Sequence, residues 1–536
     1  MSNQPGRTNQ NERARPGRTN PIWLDGSDMP DFPELEGEID AEVCVVGAGI
    51  AGMTTAYLLA REGVRVVVLD HGPVGGGETG RTTAHLSNAI DEGIRLIEKM
   101  HGEAGARVAV ESHGAAIDRI EAIVKEEEID CDFTRLDGYL LLAPGDSPEV
   151  LSEELEAAHR AGLKEVEWAT SPLETSGDLV CLRFPRQAQF HPLRFLRGLA
   201  RAIERDGGRV FTHSHVNELR DGSPVMLSTT GRARVRAERV VVATNSPIVD
   251  VIALHTKQAA YRTFVVGLEV PEGSVPQALY WDTGDPYHYV RLAHPAPGVE
   301  SVGSAGGGSN VLIVGGGDHK TGQADDGEAR FDHLEVWARK LFPSVRRLTH
   351  RWSGQVLEPV DGVAFIGPSP GSKNIYVITG DSGQGMTHGV LGAMILTDLI
   401  RGRDNPWADF YAPTRTTLAP HSGIEWLKEN VNVAYQYVDH VRGEAEATLD
   451  DMPLHAGVVV RRDGKQIAVY RDGTGSCHEM SALCTHMMCV VQWNSTEGSW
   501  DCPCHGSRFD PYGKVLNAPA VQELEPVAEQ AEVAGE

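Results

Sequence analysis

Glu42-Val-Cys-Val-Val-Gly-Ala-Gly-Ile-Ala-Gly52, continued by a second apolar run from Val64 to Leu69 and then Asp70, decides the fold. The order reads as strand, glycine turn, helix and strand. Gly47 permits the tight turn, Gly49 lets the backbone approach a pyrophosphate, and Gly52 allows the helix to pack closely on the strand. Asp70, eighteen residues beyond Gly52, can accept from a ribose hydroxyl, and the phosphates would sit on the helix N-terminus. The segment predicts a Rossmann-like dinucleotide site, with FAD or NAD left open by this motif alone.

Three further segments favour FAD. Gly75-Gly-Gly-Glu-Thr-Gly-Arg-Thr-Thr83 is a second glycine- and hydroxyl-rich loop, suited to wrapping a longer cofactor. Arg239-Val-Val-Val-Ala-Thr-Asn245 reads as a buried strand ending in small polar residues at an adenine-side site. Val377-Ile-Thr-Gly-Asp-Ser-Gly-Gln-Gly-Met386 leads into an apolar helix reaching Ile400. A helix N-terminus aimed at the flavin pyrimidine would stabilise the reduced, anionic ring. The expected FAD contacts are Gly47, Gly49, Gly52, Asp70, Thr79, Gly80, Thr82, Thr83, Val216, Gly380, Gly383, Gln384, Gly385 and Met386. Residues 38 to 405 resemble the glycine oxidase and D-amino acid oxidase family of flavoproteins.

The far end of the chain carries a different chemistry. Cys484-Thr-His486 and Cys502-Pro-Cys-His505, with fifteen residues between His486 and Cys502, offer two thiols and two imidazoles on two short loops. Such a set suits a two-iron, two-sulfur cluster, whose potential is raised by the weakly donating imidazoles. Tetrahedral zinc is the competing reading, but C-x-H is an unusual zinc spacing. The segment resembles the Rieske proteins of respiratory complexes. That resemblance implies Cys484, His486, Cys502 and His505 as ligands, a disulfide between Cys489 and Cys504, and a hydroxyl from Ser507 to a cluster sulfur. Two positions depart from the family: Phe509 replaces a tyrosine hydroxyl donor, and Met488 replaces a loop glycine. A ring-hydroxylating oxygenase is excluded by length, since only 31 residues follow His505.

The whole chain resembles the subgroup in which such an oxidoreductase is fused to a Rieske domain, through Thr79-Gly-Arg-Thr-Thr-Ala84 and the helix start Gln189-Phe-His-Pro192. The expected fold is an α/β Rossmann-like FAD-binding domain interleaved with an α+β substrate domain, followed by a small all-β Rieske domain. At 536 residues the chain is too long for one core. Residues 1 to 37 read as a flexible tail, repeating Pro-Gly-Arg-Thr-Asn at 5 to 9 and 16 to 20. The cofactor part is expected over 38–90, 190–250 and 350–405, and the substrate part over 91–189 and 251–349. A linker and docking helix then fill 406–446, and the Rieske domain 447–536. Pro192 should open a helix carrying Leu193, Leu196, Leu199, Ala200 and Ile203 on one face, with His191 as its cap.

A net charge of −26 argues against nucleic acid or an anionic membrane surface as partner. No run of eighteen apolar residues and no apolar signal core occur, so a soluble, cytoplasmic protein without a membrane span is expected. Of eight cysteines, Cys44, Cys131, Cys181 and Cys477 read as buried apolar thiols.

In the resembled family the substrate is an amine or amino acid whose α C–H electrons pass to the flavin, leaving an imine that water hydrolyses. The protein binds and orients, and no nucleophilic triad is needed. Strand alternation would put Tyr287, Tyr289 and Arg291 on one face, with Arg291 able to hold a carboxylate through two hydrogen bonds. Lys320, beside His319, is expected to face the flavin and fix a water. His85 could bear a covalent flavin, but its loop differs from relatives that do so, and non-covalent FAD is expected. Electrons would leave through the cluster to a soluble carrier or a quinone. The opposite direction, from the Rieske domain to the flavin, is the alternative. A ferredoxin reductase would need a second dinucleotide fold, for which Gly315-Gly-Gly317 is a poor candidate, and a redox sensor without turnover is a non-enzymatic alternative.

Overall fold

The computed structural model describes residues 17–173, 179–249, 252–295, 308–416, 432 and 452–527. Three layers of chain follow from its strands. The first sheet runs, from edge to edge, Phe365–Pro368, Ile375–Thr379, Arg234–Val242, Glu38–Val46, Val66–Leu69 and Arg209–Phe211. Four of the five pairings in this order are parallel, and the one between Phe365–Pro368 and Ile375–Thr379 is antiparallel. Strands such as Val43–Val46 and Val66–Leu69 are buried on both faces, which explains why they are continuous apolar runs rather than alternating ones. Helices Ile50–Arg61, Pro192–Arg205 and Gly385–Ile400 pack on this sheet and on one another.

The second sheet has nine strands built around Gln258–Pro271, Ser309–Lys320 and His288–Ala293. Leu348–Pro359 pairs with Gln258–Pro271 along its whole length, and His85–Leu86 pairs with Val180–Gln189. Both segments therefore belong to the second sheet, a placement that the expected stretches 38–90 and 350–405 did not specify. The reason is that apolar runs do not say which sheet they enter. The C-terminal unit is all-β, with a three-stranded sheet from Ala456 to Ser481 and a four-stranded sheet from Gln492 to Asn517.

The expected flexible tail ends earlier than its composition suggests. From residue 17 onward it is packed: Ile22, Trp23, Phe32 and Leu35 are buried, and Trp23 Nε1 donates to Thr82 O at 2.6 Å. Averaging over the arginine- and asparagine-rich stretch hid these four apolar anchors. The helix at Pro192 forms over Pro192–Arg205 with His191 Nδ1 accepting from Arg194 N. Cys44, Cys131 and Cys181 are buried, but Cys477 is exposed. Most of the expected linker and docking helix lies outside the described residues, and no described helix is long and apolar enough to cross a membrane.

Candidate active site and cluster site

Gly47 adopts φ +110°, and a Cβ there would lie 2.3 Å from Ala243 O, so the turn joins two strands at a distance only glycine tolerates. A Cβ on Gly52 would lie 1.8 Å from Gly47 O, which fixes the helix Ile50–Arg61 against the turn. Asp70, at the end of the next strand, accepts from Ala48 N at 2.6 Å and Gly72 N at 2.8 Å. Burial alone would raise its carboxyl, but His71 and these two amides hold it below the usual range, so it is a charged acceptor at the mouth of the turn.

These residues open one continuous cavity between the two large sheets. Its wall includes Gly47, Gly49, Asp70, Thr79, Thr82, Thr83, Val216, Gly383, Gln384, Gly385 and Met386. Gly52, Gly80 and Gly380 do not line it. They stand behind the wall, where added Cβ atoms would meet Gly47 O, Gly75 O and Pro359 respectively. An elongated, glycine-floored cavity that begins at a helix N-terminus and passes a second helix N-terminus at Gly385 fits FAD.

Trp281, Tyr287 and Tyr289 form an aromatic part of the cavity wall. Tyr287 OH donates to Asp91 Oδ2 at 2.8 Å, and Tyr289 OH shares a hydrogen bond of 2.6 Å with Thr263 Oγ1. Asp91 is exposed toward the cavity yet ringed by protein, and that enclosure, aided by the charge of Glu92, pushes it up to about 7. Asp318 also faces the cavity, and burial raises it to about 6. Burial and these two acids push both tyrosines well above their ordinary value, so they remain protonated donors. His85 lines the cavity too, and burial lowers it to about 3, leaving a neutral ring.

Two expected catalytic residues stand elsewhere. Arg291 is buried and donates to Thr83 O, Ala84 O and Phe190 O at 3.2, 2.7 and 3.1 Å, outside the cavity lining. It ties its strand to the FAD loop instead of presenting a fork to a carboxylate. Lys320 lines a small pocket shared with His255, Pro503 and His505 at the border with the C-terminal unit. The strand Ser309–Lys320 is bulged opposite Arg262 and Phe264, with Gly316 and Gly317 at positive φ. That irregularity turns Asp318, not Lys320, toward the flavin cavity. Asp91 and Asp318 carried no sequence signal, because they come near Tyr287 only in the folded chain.

In the C-terminal unit, Cys484, Cys502 and His505 are buried, and the His486 and His505 rings lie 5.1 Å apart. His505 Nδ1 is buried without a hydrogen-bond partner, an orphan that a metal would satisfy. Burial, then the charge of His486, lowers His505 to about 4, so the ring is the neutral, ligating form. A shared hydrogen bond pulls Cys484 below the usual thiol range and drives Cys502 above it, and Ser507 donates to the Cys484 sulfur. The sulfurs of Cys489, Cys502 and Cys504 lie within 4.8 Å of one another. Cys489 and Cys504 are joined to each other, which removes them as ligands and staples the two loops together. The donor set Cys484, His486, Cys502 and His505 fits a two-iron cluster. Met488 keeps the glycine-like φ of +62° with its side chain exposed, so the loop retains its turn despite the substitution.

The two sites adjoin. Val515 to Ala518 and Ala520 form part of the cavity wall, and His215 Nε2 donates to Val521 O at 2.9 Å. Glu78 of the FAD loop accepts from Asn517 Nδ2 at 2.9 Å and from Gln355 N at 2.7 Å. Behind this contact Glu497, in the turn before Ser499–Asp501, is wholly buried against Arg81 at 3.1 Å and Arg262 at 3.4 Å. Burial alone would raise its carboxyl, but Arg81, Arg262 and Arg508 together hold it far below the usual range.

Residues 42–399 match the model of the FAD dependent oxidoreductase family. The chain belongs to that family. Residues 445–528 match the Rieske 2Fe-2S domain, so this FAD-dependent oxidoreductase carries a Rieske unit. YhfW of Bacillus subtilis (strain 168), named a Rieske 2Fe-2S iron-sulfur protein, is 31% identical over 94% of this chain and 97% of its own length. Gamma-glutamylputrescine oxidoreductase of Escherichia coli (strain K12) is 28% identical over 69% of this chain and 86% of its own. In fold, the oxidoreductase resembles glycine oxidase from Geobacillus kaustophilus, with a TM-score of 0.57 at 18% identity, covering 70% of this chain and 99% of that one. It is thus an FAD-dependent oxidoreductase with FAD and a 2Fe-2S cluster as cofactors.

Proposed function

We propose that the protein dehydrogenates an amine at its C–N bond and passes the electrons through FAD and the Rieske cluster to an external acceptor. The observation that carries this reading is Gln355. The residue lines the FAD cavity, and its Nε2 donates to Gly506 O at 3.0 Å, one residue from His505. Thr321 Oγ1 donates to Gln355 Oε1 at 3.0 Å and fixes that orientation. One short polar bridge therefore spans the two cofactor sites.

The amine would lose two electrons and two protons and become an imine, which water converts to a carbonyl compound and ammonia or a smaller amine. FAD, when bound, takes both electrons. Cys484, His486, Cys502 and His505 would hold the 2Fe-2S cluster, which would supply single-electron transfer toward a one-electron carrier used twice, or a quinone. The chain's own part is to bind, orient and exclude water. Trp281, Tyr287 and Tyr289 supply an aromatic wall suited to an alkylammonium, and Asp91 and Asp318 supply negative charge. With Arg291 committed to carbonyls, this site favours amines over amino acids that need a carboxylate anchor.

Stopped-flow mixing with aliphatic amines and amino acids under anaerobic conditions tests the reading. The flavin should bleach first and the cluster second. Cluster reduction preceding flavin reduction would overturn the proposed direction, and no bleaching with any amine would overturn the substrate class.

A further inference from the structure

His255, the last residue of the short helix Ile252–His255 in the flavoprotein unit, makes an unusual contact across the domain border. Its ring centroid lies 4.8 Å from that of His486 and 5.8 Å from that of His505, edge-on to both. The residue is 3% exposed. One ring nitrogen bonds the backbone of Val249, while Nε2 is buried with no hydrogen-bond partner. The nitrogen at the Val249 backbone is the donor there, which leaves Nε2 as the ring's acceptor. Leaving an acceptor buried and unpaired is costly, and native proteins seldom do so without reason.

The cluster supplies the reason. When iron takes one nitrogen of a ligand imidazole, the other carries a hydrogen that needs an acceptor, and such partners orient the ligand and raise its basicity. We propose that His255 Nε2 accepts a hydrogen bond from a cluster histidine, making the flavoprotein unit itself the partner that sets the cluster's potential and fixes its electron-entry face. His255 is thereby a positioning residue. It acts on the iron pair only through the ligand ring. The inference rests on the electron route proposed above, in which each step oxidises the reduced flavin by one electron and reduces the iron pair by one.

The test uses the full chain loaded with FAD and cluster. His255→Phe keeps a ring but removes the acceptor, and His255→Gln keeps an acceptor. Redox titration followed by electron paramagnetic resonance should show the cluster of the Phe variant easier to reduce. The expected shift is roughly tenfold in the reduction equilibrium, or about 59 mV upward for one electron, with changed g-values. The Gln variant should stay near wild type. A Phe variant with full flavin and iron content and an unchanged potential overturns the inference. Should the Phe variant fail to load its cluster, Glu497→Ala carries the test by loosening the border while leaving His255 in place: a raised potential supports the contact, and an unchanged one overturns it. Photoreduction of the flavin by a sacrificial donor separates the two readings, because it needs no amine. Absence of cluster reduction in the wild type sinks the route, whereas intact transfer with an unmoved potential in the Phe variant sinks the His255 contact alone.

Discussion

Glu497→Ala should separate the Rieske unit from the flavoprotein before either unfolds. The carboxylate is fully buried, 3.1 Å from Arg81 and 3.4 Å from Arg262, and also accepts from Thr19 Oγ1 at 2.5 Å and from Ser353 Oγ. At an effective dielectric constant of about 20, each of those two arginine pairs represents roughly 5 kcal/mol of attraction, most of it offset by the cost of removing the charges from water. Deleting the acid leaves the guanidiniums uncompensated, and the expected loss is about 3–5 kcal/mol. Glu497→Gln keeps the hydrogen bonds to Thr19 and Ser353 and should lose less. Calorimetry should resolve an early Rieske transition in the Ala variant, and limited proteolysis should cut between the units. The pH dependence carries the same sign. Because the folded carboxyl lies below its unfolded value of about 4.3, its stabilisation is fully present above that pH and is lost as pH falls further. The Gln variant should lack this acid limb. An Ala variant that melts and resists protease like wild type would refute the role of the network.

Gly52→Ala should yield protein without flavin but with a normal cluster spectrum, because the new Cβ would meet Gly47 O at 1.8 Å and open the phosphate turn. Asp91→Asn and Asp318→Asn should each raise KM for a cationic amine by at least about tenfold, the value of a hydrogen bond to a charged group, while leaving flavin content unchanged. Since burial raises Asp91 to about 7, kcat/KM should climb between pH 6 and 8 as the acid ionises, and Asp91→Asn should flatten that rise. Cys489→Ser should cost about 3 kcal/mol for a loop of separation 15 and shorten the lifetime of the bound cluster, read as the decay of its visible absorption. His505→Ala should abolish the cluster signal yet leave amine-driven flavin bleaching intact.

Local chemistry was legible where neighbours in sequence are neighbours in space. The turn Gly47 to Gly52 closes on itself, so its residue types sufficed to reveal a dinucleotide floor, and the paired Cys-x-His and Cys-x-x-His loops declared a metal site because each loop brings two ligands within one turn. Asp70 and the helix after Gln384 were readable for the same reason. The proposed amine-binding residues were not. Arg291 and Lys320 sit at plausible strand positions, but a bulge at Gly316 and Gly317 and a set of carbonyls from Thr83, Ala84 and Phe190 redirected them. Asp91 meets Tyr287 across a separation of 196 residues, which no periodicity encodes.

The sequence alone determined that this chain holds a flavin and an iron pair, since both are bound by short segments whose backbone geometry and donor atoms are local properties. Only the tertiary structure decided that the two share a border, with Gln355 touching both sites, His255 set against the cluster histidines, and Glu497 buried among arginines from another unit. These contacts join residues more than a hundred positions apart, and they exist because apolar burial brings the two units together and leaves every polar group on the border needing a partner.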